Sequence, residues 1–419
     1  MKRLKTTLLL FGFLTCFLLS SCGAATRDTA ASLEGKTPVS PAFTAETSGS
    51  ESELSAASKE VTSPDPSASS LPSSSFSSPS GSPSGSPSGT TEPTEPAVEK
   101  FTLGFTGDVC FAENYKIYQL AKKNNRELLN CFSPTLLEQL QAVDFLTVNC
   151  ESSVSNRGAA LAGKGYTFRT SVATAKVFKE MGADLIGLAN NHVYDFGKDA
   201  FLDTLDAFSE MNLPTVGAGR NAEEAYAPYI LEKNGIKVAF VATSRAEKQY
   251  FTPVAEGENP GISGCYVLTR ACSAIEVAKA QADFVIVYAH FGYEYNTVIE
   301  PAQQQAAYAF IDAGADLVVG AHPHILQGIE AYKGKMVFYS LGNFLFNDKD
   351  LDTVLLKVTL EGKDRVSYNL VPCRQTGGVV SDCGGTVEGE RILQALRRLS
   401  IGIAVDREGN VYNAEAEES

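Results

Sequence analysis

From Glu99 onward the chain alternates short apolar runs with longer amphipathic stretches. Phe101 to Thr106, Phe145 to Val148, Leu185 to Ala189, Phe284 to Ala289 and Leu317 to Ala321 are rich in β-branched and aromatic residues and too short for most helices. Short apolar runs of this kind predict strands. Between them, Ala173 to Met181, Ala200 to Met211 and Ala302 to Ala313 place apolar residues at helical spacing. Alternating strand and helix patterns predict an α/β fold. Two hairpin signals add to it. Asn234-Gly235 separates Tyr229-Ile230-Leu231 from Lys237 to Thr243, and Glu361-Gly362 separates Thr353 to Thr359 from Val366 to Val371. They predict a second, partly antiparallel sheet.

The first two segments follow other rules. Lys2, Arg3 and Lys5 precede an apolar run from Leu8 to Leu19 that is short for a membrane span and suits a signal peptide. The run ends in Leu19-Ser20-Ser21-Cys22-Gly23, which resembles the lipobox of bacterial lipoproteins. That resemblance implies cleavage after residue 21, acylation of Cys22, and an extracytoplasmic protein held to the cell membrane by lipid. An ordinary secretory peptide with an incidental cysteine is the alternative. Residues 22–98 are mostly Ser, Thr, Pro, Gly, Ala and Glu, with the near-repeat Ser80-Gly81-Ser82-Pro83-Ser84-Gly85-Ser86-Pro87. Such a segment cannot offset its ordering entropy by burial and reads as a disordered stalk. Its relaxed span is roughly 50 Å and its stretched reach about 250 Å.

The remainder divides into a motif-bearing domain over 99–346 and a tail over 347–419 with a hairpin, a helix and a polar end. The formal charge is −14, and loss of the three signal-segment cations makes it more negative. This balance argues against nucleic acid as a partner, and a polyanionic substrate would need a local cation to meet it. Of nine cysteines, Cys16 and Cys22 lie in the signal and anchor, and no CxxC pair occurs among the rest. A disulfide scaffold and a zinc ribbon are both disfavoured. Cys265 with Cys272 and Cys373 with Cys383 are near enough in sequence to pair, which geometry alone decides.

The candidate chemistry sits where the five apolar runs stop. They end at Gly107-Asp108, Asn149-Cys150-Glu151, Asn190-Asn191-His192, His290 and His322-Pro323-His324. Ligands of α/β sheets collect beyond the carboxyl ends of the strands, so these ends predict one crevice. The whole chain has four histidines, and all four lie in these segments. One histidine alone is more often a satisfied core or surface residue. Four of them beside Asp108, Glu151 and Asn191 predict a metal site. Mixed imidazole and carboxylate donors suit zinc, manganese or iron better than calcium or magnesium. Two divalent ions sharing one carboxylate would fit this many donors.

Gly107-Asp108-Val109, Asn149-x-Glu151, Leu188-Ala189-Asn190-Asn191-His192-x-x-Asp195-x-Gly197, His290-Phe291-Gly292-x-Glu294-Tyr295, Gly320-Ala321-His322-Pro323-His324 and Ser340-Leu341-Gly342-Asn343-Phe344 together resemble the CapA family of poly-gamma-glutamate capsule biosynthesis proteins. That family is a branch of the calcineurin-like metallophosphoesterases. The resemblance covers Lys100 to Phe346 and implies a four-layer α/β/β/α sandwich of two mixed sheets, the tail's strand pair completing the second. It implies that Asp108 and His324 ligate one metal, that Asn191, His290 and His322 ligate another, and that Glu151 bridges them. His192 would stabilise a developing oxyanion or protonate a leaving group. Asp195 reads either as the group that orients this imidazole or as a capping or surface residue. Arg169 is the candidate for holding a substrate carboxylate or phosphate, with a surface or cap-pairing role as the alternative, and Glu294, Tyr295 and Asn343 are placed on the substrate side as supporting groups.

The chain departs from the superfamily pattern twice. Cys110 stands in Asp108-Val109-Cys110 where Asp-x-His is usual, and reads either as a thiolate ligand or as a buried hydrophobe. Glu151 stands where Gly-Asp is usual. Three functions follow as expectations: a surface hydrolase acting on a phosphoester or a polymer amide, a non-catalytic subunit holding polyglutamate near its synthase or exporter, or a binding module with a vestigial site.

Overall fold

The strand Lys100–Val109 organises the molecule in the computed structural model, which describes residues 100–247 and 250–414. The signal segment, Cys22 and the stalk lie outside the described residues. On one side Lys100–Val109 pairs in parallel with Phe145–Cys150, which is followed by Leu185–Gly187 and Thr215–Val216. On the other side it pairs antiparallel with Leu351–Glu361, which forms a hairpin with Arg365–Thr376. With its shorter partners this sheet has 10 strands. A second sheet of 6 strands carries the Tyr229–Lys233/Ile236–Ser244 hairpin, then Phe284–His290, Leu317–Ala321 and Lys335–Phe338 in parallel, then Ile329–Tyr332 at the edge.

The period-two alternation of the strands assigns each side chain to a layer. Phe284, Ile286 and Tyr288 face inward and meet Phe101, Leu103 and Phe105 of the first sheet. The Phe105 ring lies 6.3 Å from Phe240 and 6.2 Å from Tyr288, joining the sheets. Val285 and Val287 face outward onto the helices Leu268–Lys279 and Pro301–Asp312, through Ile275 and Phe310. Leu146, Val148 and Ile186 face outward from the first sheet onto Pro134–Ala142 and Gly197–Glu210, through Leu140, Phe201 and Phe208. Each such fully buried side chain is worth about 1.5–3 kcal/mol of hydrophobic free energy. The result is the four-layer α/β/β/α sandwich that the motifs implied.

Local chemistry sets the helix ends. Ser133 caps Pro134–Ala142 by accepting from the Leu136 N–H at 3.3 Å. Glu300 and Gln303 form a capping box on Pro301–Asp312. The helix expected over Ala173 to Met181 is shorter, Lys176–Glu180. The Ser171 hydroxyl accepts the Thr174 N–H at 3.2 Å, so the approach is a side-chain-closed turn.

The tail corrects one expectation. Its strand pair joins the first sheet, against Lys100–Phe105, not the second. Lys100–Val109 has Phe145–Cys150 on one flank only, and its other edge would expose a row of backbone donors and acceptors. Leu351–Glu361 covers that edge with both faces buried, Val354, Leu356, Val358 and Leu360 inward and Leu355 outward. The helix Val387–Leu399 then buries Ile392, Leu393 and Leu396 in the inter-sheet core beside Ile329. The seven cysteines from Cys110 onward are free thiols, so neither candidate pair is bridged. No helix among the described residues is long and apolar enough to cross a membrane.

Candidate metal centre

Tight backbone approaches bring the strand ends of both sheets to one seam. A Cβ on Gly107 would stand 1.8 Å from the Gly342 carbonyl oxygen, which accepts the Asp108 N–H at 3.0 Å. Only glycine allows that contact, and it fixes Asp108 beside the incoming Asn343 segment. Beyond Leu317–Ala321, His322 and His324 both have positive φ, +96° and +60°. Non-glycine residues in this region are strained, and here the strain turns two imidazoles back over the strand ends.

Asp108, Glu151, Asn191, His290, His322 and His324 meet in this seam, none more than 6% exposed. Asp108 Oδ1 accepts from Asn149 Nδ2 at 2.8 Å, and its Oδ2 accepts the His322 N–H at 3.1 Å and lies 3.3 Å from His324 Nδ1. His290 Nε2 is 2.8 Å from Asn191 Oδ1 and 3.5 Å from Glu151 Oε1. Ligand atoms of Glu151, His290 and His322 lie within 4.8 Å of one another, as do those of Asp108, Glu151 and His324. Glu151 is common to both groups.

Burial would raise the Asp108 carboxyl, but the His324 hydrogen bond and the charge of His290 outweigh it and hold it well below the usual range. Burial, then the Asp108 charge, pushes Glu151 far up. Burial also lowers His290 to about 3, against the pull of Asp108, and lowers His322 strongly with help from His290 and His324. His324 alone is raised, because the Asp108 hydrogen bond and charge overcome burial. Imidazoles that resist protonation are in their ligand form. Both Glu151 carboxylate oxygens and His322 Nδ1 are buried without a hydrogen-bond partner. Orphaned acceptors of this kind are satisfied by a divalent cation, so the residues present fit one.

His192 stands beside this cluster. Its Nδ1 is 2.7 Å from Asp195 Oδ2, its Nε2 is 4.0 Å from Glu151 Oε1, and its ring lies 4.3 Å from Phe168. The Phe168 N–H donates to the same Asp195 oxygen at 2.7 Å. The expected orienting contact of Asp195 is therefore present.

Other expected residues fall elsewhere. Arg169 does not reach the cluster: its guanidinium lies 4.4 Å over Phe196 and donates to the Arg157 and Gly158 carbonyls at 3.3 Å each. Its strand, Arg169–Thr170, pairs with Ser153–Val154 so that the side chain leaves the seam. Asn343 is fully buried, and its Oδ1 lies 2.7 Å from His324 Nδ1, inside the cluster and away from its exposed mouth. Glu294 and Tyr295 are exposed at the mouth, the Tyr295 ring 5.7 Å from His324. Cys110 packs with Ala112, Phe168 and Phe346, belongs to neither ligand group, and burial holds its thiol well above the usual range. The buried-hydrophobe reading holds for it.

Sequence reasoning missed the groups that hold the ligands. Asn190 Oδ1 accepts the N–H groups of His192 and Val193 at 3.0 Å each, while its Nδ2 donates to Asn149 Oδ1 at 3.0 Å. The Asn190-Asn191 doublet at a strand end was the available signal. Lys164 also reaches this region, donating to the Asn191 carbonyl and standing 2.7 Å from Asp195 Oδ1.

Comparison with known proteins bears on this arrangement. Residues 102–348 match the model of the family described as "Bacterial capsule synthesis protein PGA_cap". The "Capsule biosynthesis protein CapA" of Bacillus anthracis is 30% identical over 318 residues, covering 72% of this chain and 74% of that protein. The "PGA biosynthesis protein CapA" of Bacillus subtilis strain 168 is 33% identical over 237 residues, covering 55% of this chain and 62% of that protein. Among solved structures, the Haemophilus influenzae NAD nucleotidase NadN aligns over 76% of this chain and 66% of that one, at 13% identity and a TM-score of 0.41. The match of motifs, length and identity places the chain in the bacterial capsule synthesis protein family PGA_cap, to which it belongs.

Proposed function

We propose that this protein is a lipid-anchored, extracytoplasmic component of poly-gamma-glutamate capsule synthesis or export, and that its seam holds two divalent ions used for hydrolysis. The observation that carries the hydrolytic reading is the His192–Asp195 pair, held 2.7 Å apart and set beside the ligand cluster. Bound divalent ions would supply Lewis acidity and a lowered water pKa. Manganese, zinc or iron suits the donor set. Asp195 accepts from His192 Nδ1 and thereby leaves Nε2 directed at the seam. From there the imidazole acts on charge that develops at a scissile phosphoester or polymer amide. Phe168 against His192, and Phe346 4.7 Å from His324, exclude water from the imidazoles. At the mouth Lys349 lies 3.7 Å over the Tyr295 ring and offers an anionic polymer a local cation.

Cys110 favours a second reading. The superfamily's first-motif histidine is replaced by a thiol that takes no part in the cluster. In that reading the protein is a non-catalytic subunit whose ions hold polymer carboxylates near a membrane synthase. Metal analysis of the purified protein, with a panel of phosphoesters, phosphodiesters and polyglutamate, separates the readings. Two ions per chain with turnover on any of these supports hydrolysis. Two ions with saturable polymer binding and no turnover supports the holder. Absence of bound metal after loading would sink both.

A further inference from the structure

The segment Asn156–Tyr166 crosses the protein surface with nearly every residue exposed, yet the Lys164 side chain is only 4% exposed. It drops inward between two glycines, and Gly163 has φ +82°. Its ammonium donates two hydrogen bonds and forms an ion pair with a buried carboxylate oxygen that accepts no hydrogen bond. The hydrogen bonds go to the Asn191 carbonyl and to Glu247 Oε2 at 2.8 Å, and the ion-pair partner is Asp195 Oδ1 at 2.7 Å. The three partners come from different places. Asn191 and Asp195 follow Leu185–Gly187 of the first sheet, and Glu247 follows Ile236–Ser244 of the second. Thr252 Oγ1, from the same second-sheet loop, also donates to the Asn191 carbonyl at 2.8 Å.

We propose that Lys164 is a positioning residue that clamps the two sheets together at the candidate centre and sets the place of Asn191 and Asp195. This inference rests on the metal-binding reading of the seam. The centre needs ligands from both sheets, Asp108, Glu151 and Asn191 from one and His290, His322 and His324 from the other. Any slip of one sheet's loops past the other changes ligand spacing. Lys164 spans that seam with one side chain. Its hold on the Asn191 backbone acts on the group shared with His290 and His322, while Asp108 and His324 are fixed separately by Gly342 and Asn343. The asymmetry predicts a selective effect. Partners behind a ligand commonly govern affinity by about 10–100-fold.

The test is calorimetric titration of the metal-free full chain with Mn²⁺, for wild type and Lys164→Met, which keeps the length and removes the charge and donors. The expected result is two binding steps in wild type. In Lys164→Met one step weakens tenfold or more and the other changes less than twofold, with Lys164→Arg recovering part of the loss. Two unchanged steps in a folded Lys164→Met would overturn the proposal. So would equal weakening of both steps alongside a lowered melting temperature, which marks a merely structural ion pair. No Mn²⁺ binding by wild type would overturn the metal reading itself and the clamp with it. If Lys164→Met does not fold, Glu247→Gln removes the second-sheet anchor from a partly exposed position. The same one-step selectivity is then required, and its absence rejects the clamp.

Discussion

Asn343 Oδ1 lies 2.7 Å from His324 Nδ1, across a register in which Asn343 pairs with Asp108 itself. The amide oxygen accepts the Nδ1 proton and leaves the Nε2 lone pair directed toward Glu151, 4.0 Å away. Asn343→Ala frees the imidazole to rotate. Metal affinity should fall by about 10–100-fold, with little change in fold, since the asparagine only orients a ligand. Metal content after dialysis against a buffered chelator measures it, and full retention of both ions would remove Asn343 from this role.

Glu151 and Cys110 should behave oppositely. Glu151 belongs to both ligand groups and has two orphaned oxygens, whereas Cys110 belongs to neither. Glu151→Gln should lower stoichiometry at both positions, whereas His322→Ala and Asp108→Asn should each empty mainly one. Cys110→Ala should keep full metal and cost about 1 kcal/mol for a small cavity. Elemental analysis with thermal unfolding distinguishes them. Metal loss in Cys110→Ala would restore the thiolate-ligand reading.

The centre was legible in the sequence because it lies at strand ends, and strand ends can be found from where apolar runs stop. Asp108, Glu151, Asn191, His290, His322 and His324 are therefore recoverable by pattern. Lys164 was not, since burial of a lysine between exposed glycines depends on acceptors contributed by residues up to 83 positions away. Arg169 misled for a related reason. Its type suited an anion, but strand pairing with Ser153–Val154 aims it at Phe196, and pairing is not local information. The tail shows the same limit. Glu361-Gly362 specifies a hairpin, while the sheet that the hairpin joins is decided by which edge lacks a partner.

Asp316 gives a pH test of the fold apart from the centre. It bonds Lys279 Nζ at 2.8 Å, Lys335 Nζ at 2.7 Å and the Val285 N–H at 2.9 Å. Burial would raise this carboxyl, but the lysine bonds and then the backbone bond lower it below its ordinary value. A folded-state pKa below the unfolded one gives stability that is present above the unfolded value and is lost as pH falls through the folded one. Asp316→Asn should thus lose about 1–3 kcal/mol at pH 7. The gap from wild type should shrink as pH falls below about 4. Denaturant melts at both pH values check it, and a constant gap would contradict the assignment.

Membrane attachment is proposed from Cys22 alone. The apolar run before it is short for a span, and no described helix can cross a membrane. Cys22→Ala should leave the precursor unprocessed or release the protein to the medium. Detergent phase partitioning and mass analysis of the mature N-terminus report it. Unchanged partitioning together with an unacylated wild-type terminus would exclude the lipoprotein reading.

His192 separates a catalyst from a holder. Its imidazole contacts Asp195 and Phe168 and belongs to neither ligand group. His192→Ala should therefore retain metal and ground-state ligand binding. If the protein turns over a substrate, kcat should fall by roughly 10²–10⁴, because the lost interaction acts on charge that exists only in the transition state. His322→Ala empties the position it helps to form and should abolish either function. In producing cells the two variants then give a clean contrast. Polyglutamate output lost in both, with metal kept in His192→Ala, requires chemistry at the seam. Output kept in His192→Ala and lost in His322→Ala requires only a bound ion that holds polymer. Output kept in both would detach the centre from capsule production, leaving the exposed mouth around Tyr295 and Lys349 as the surface to test next.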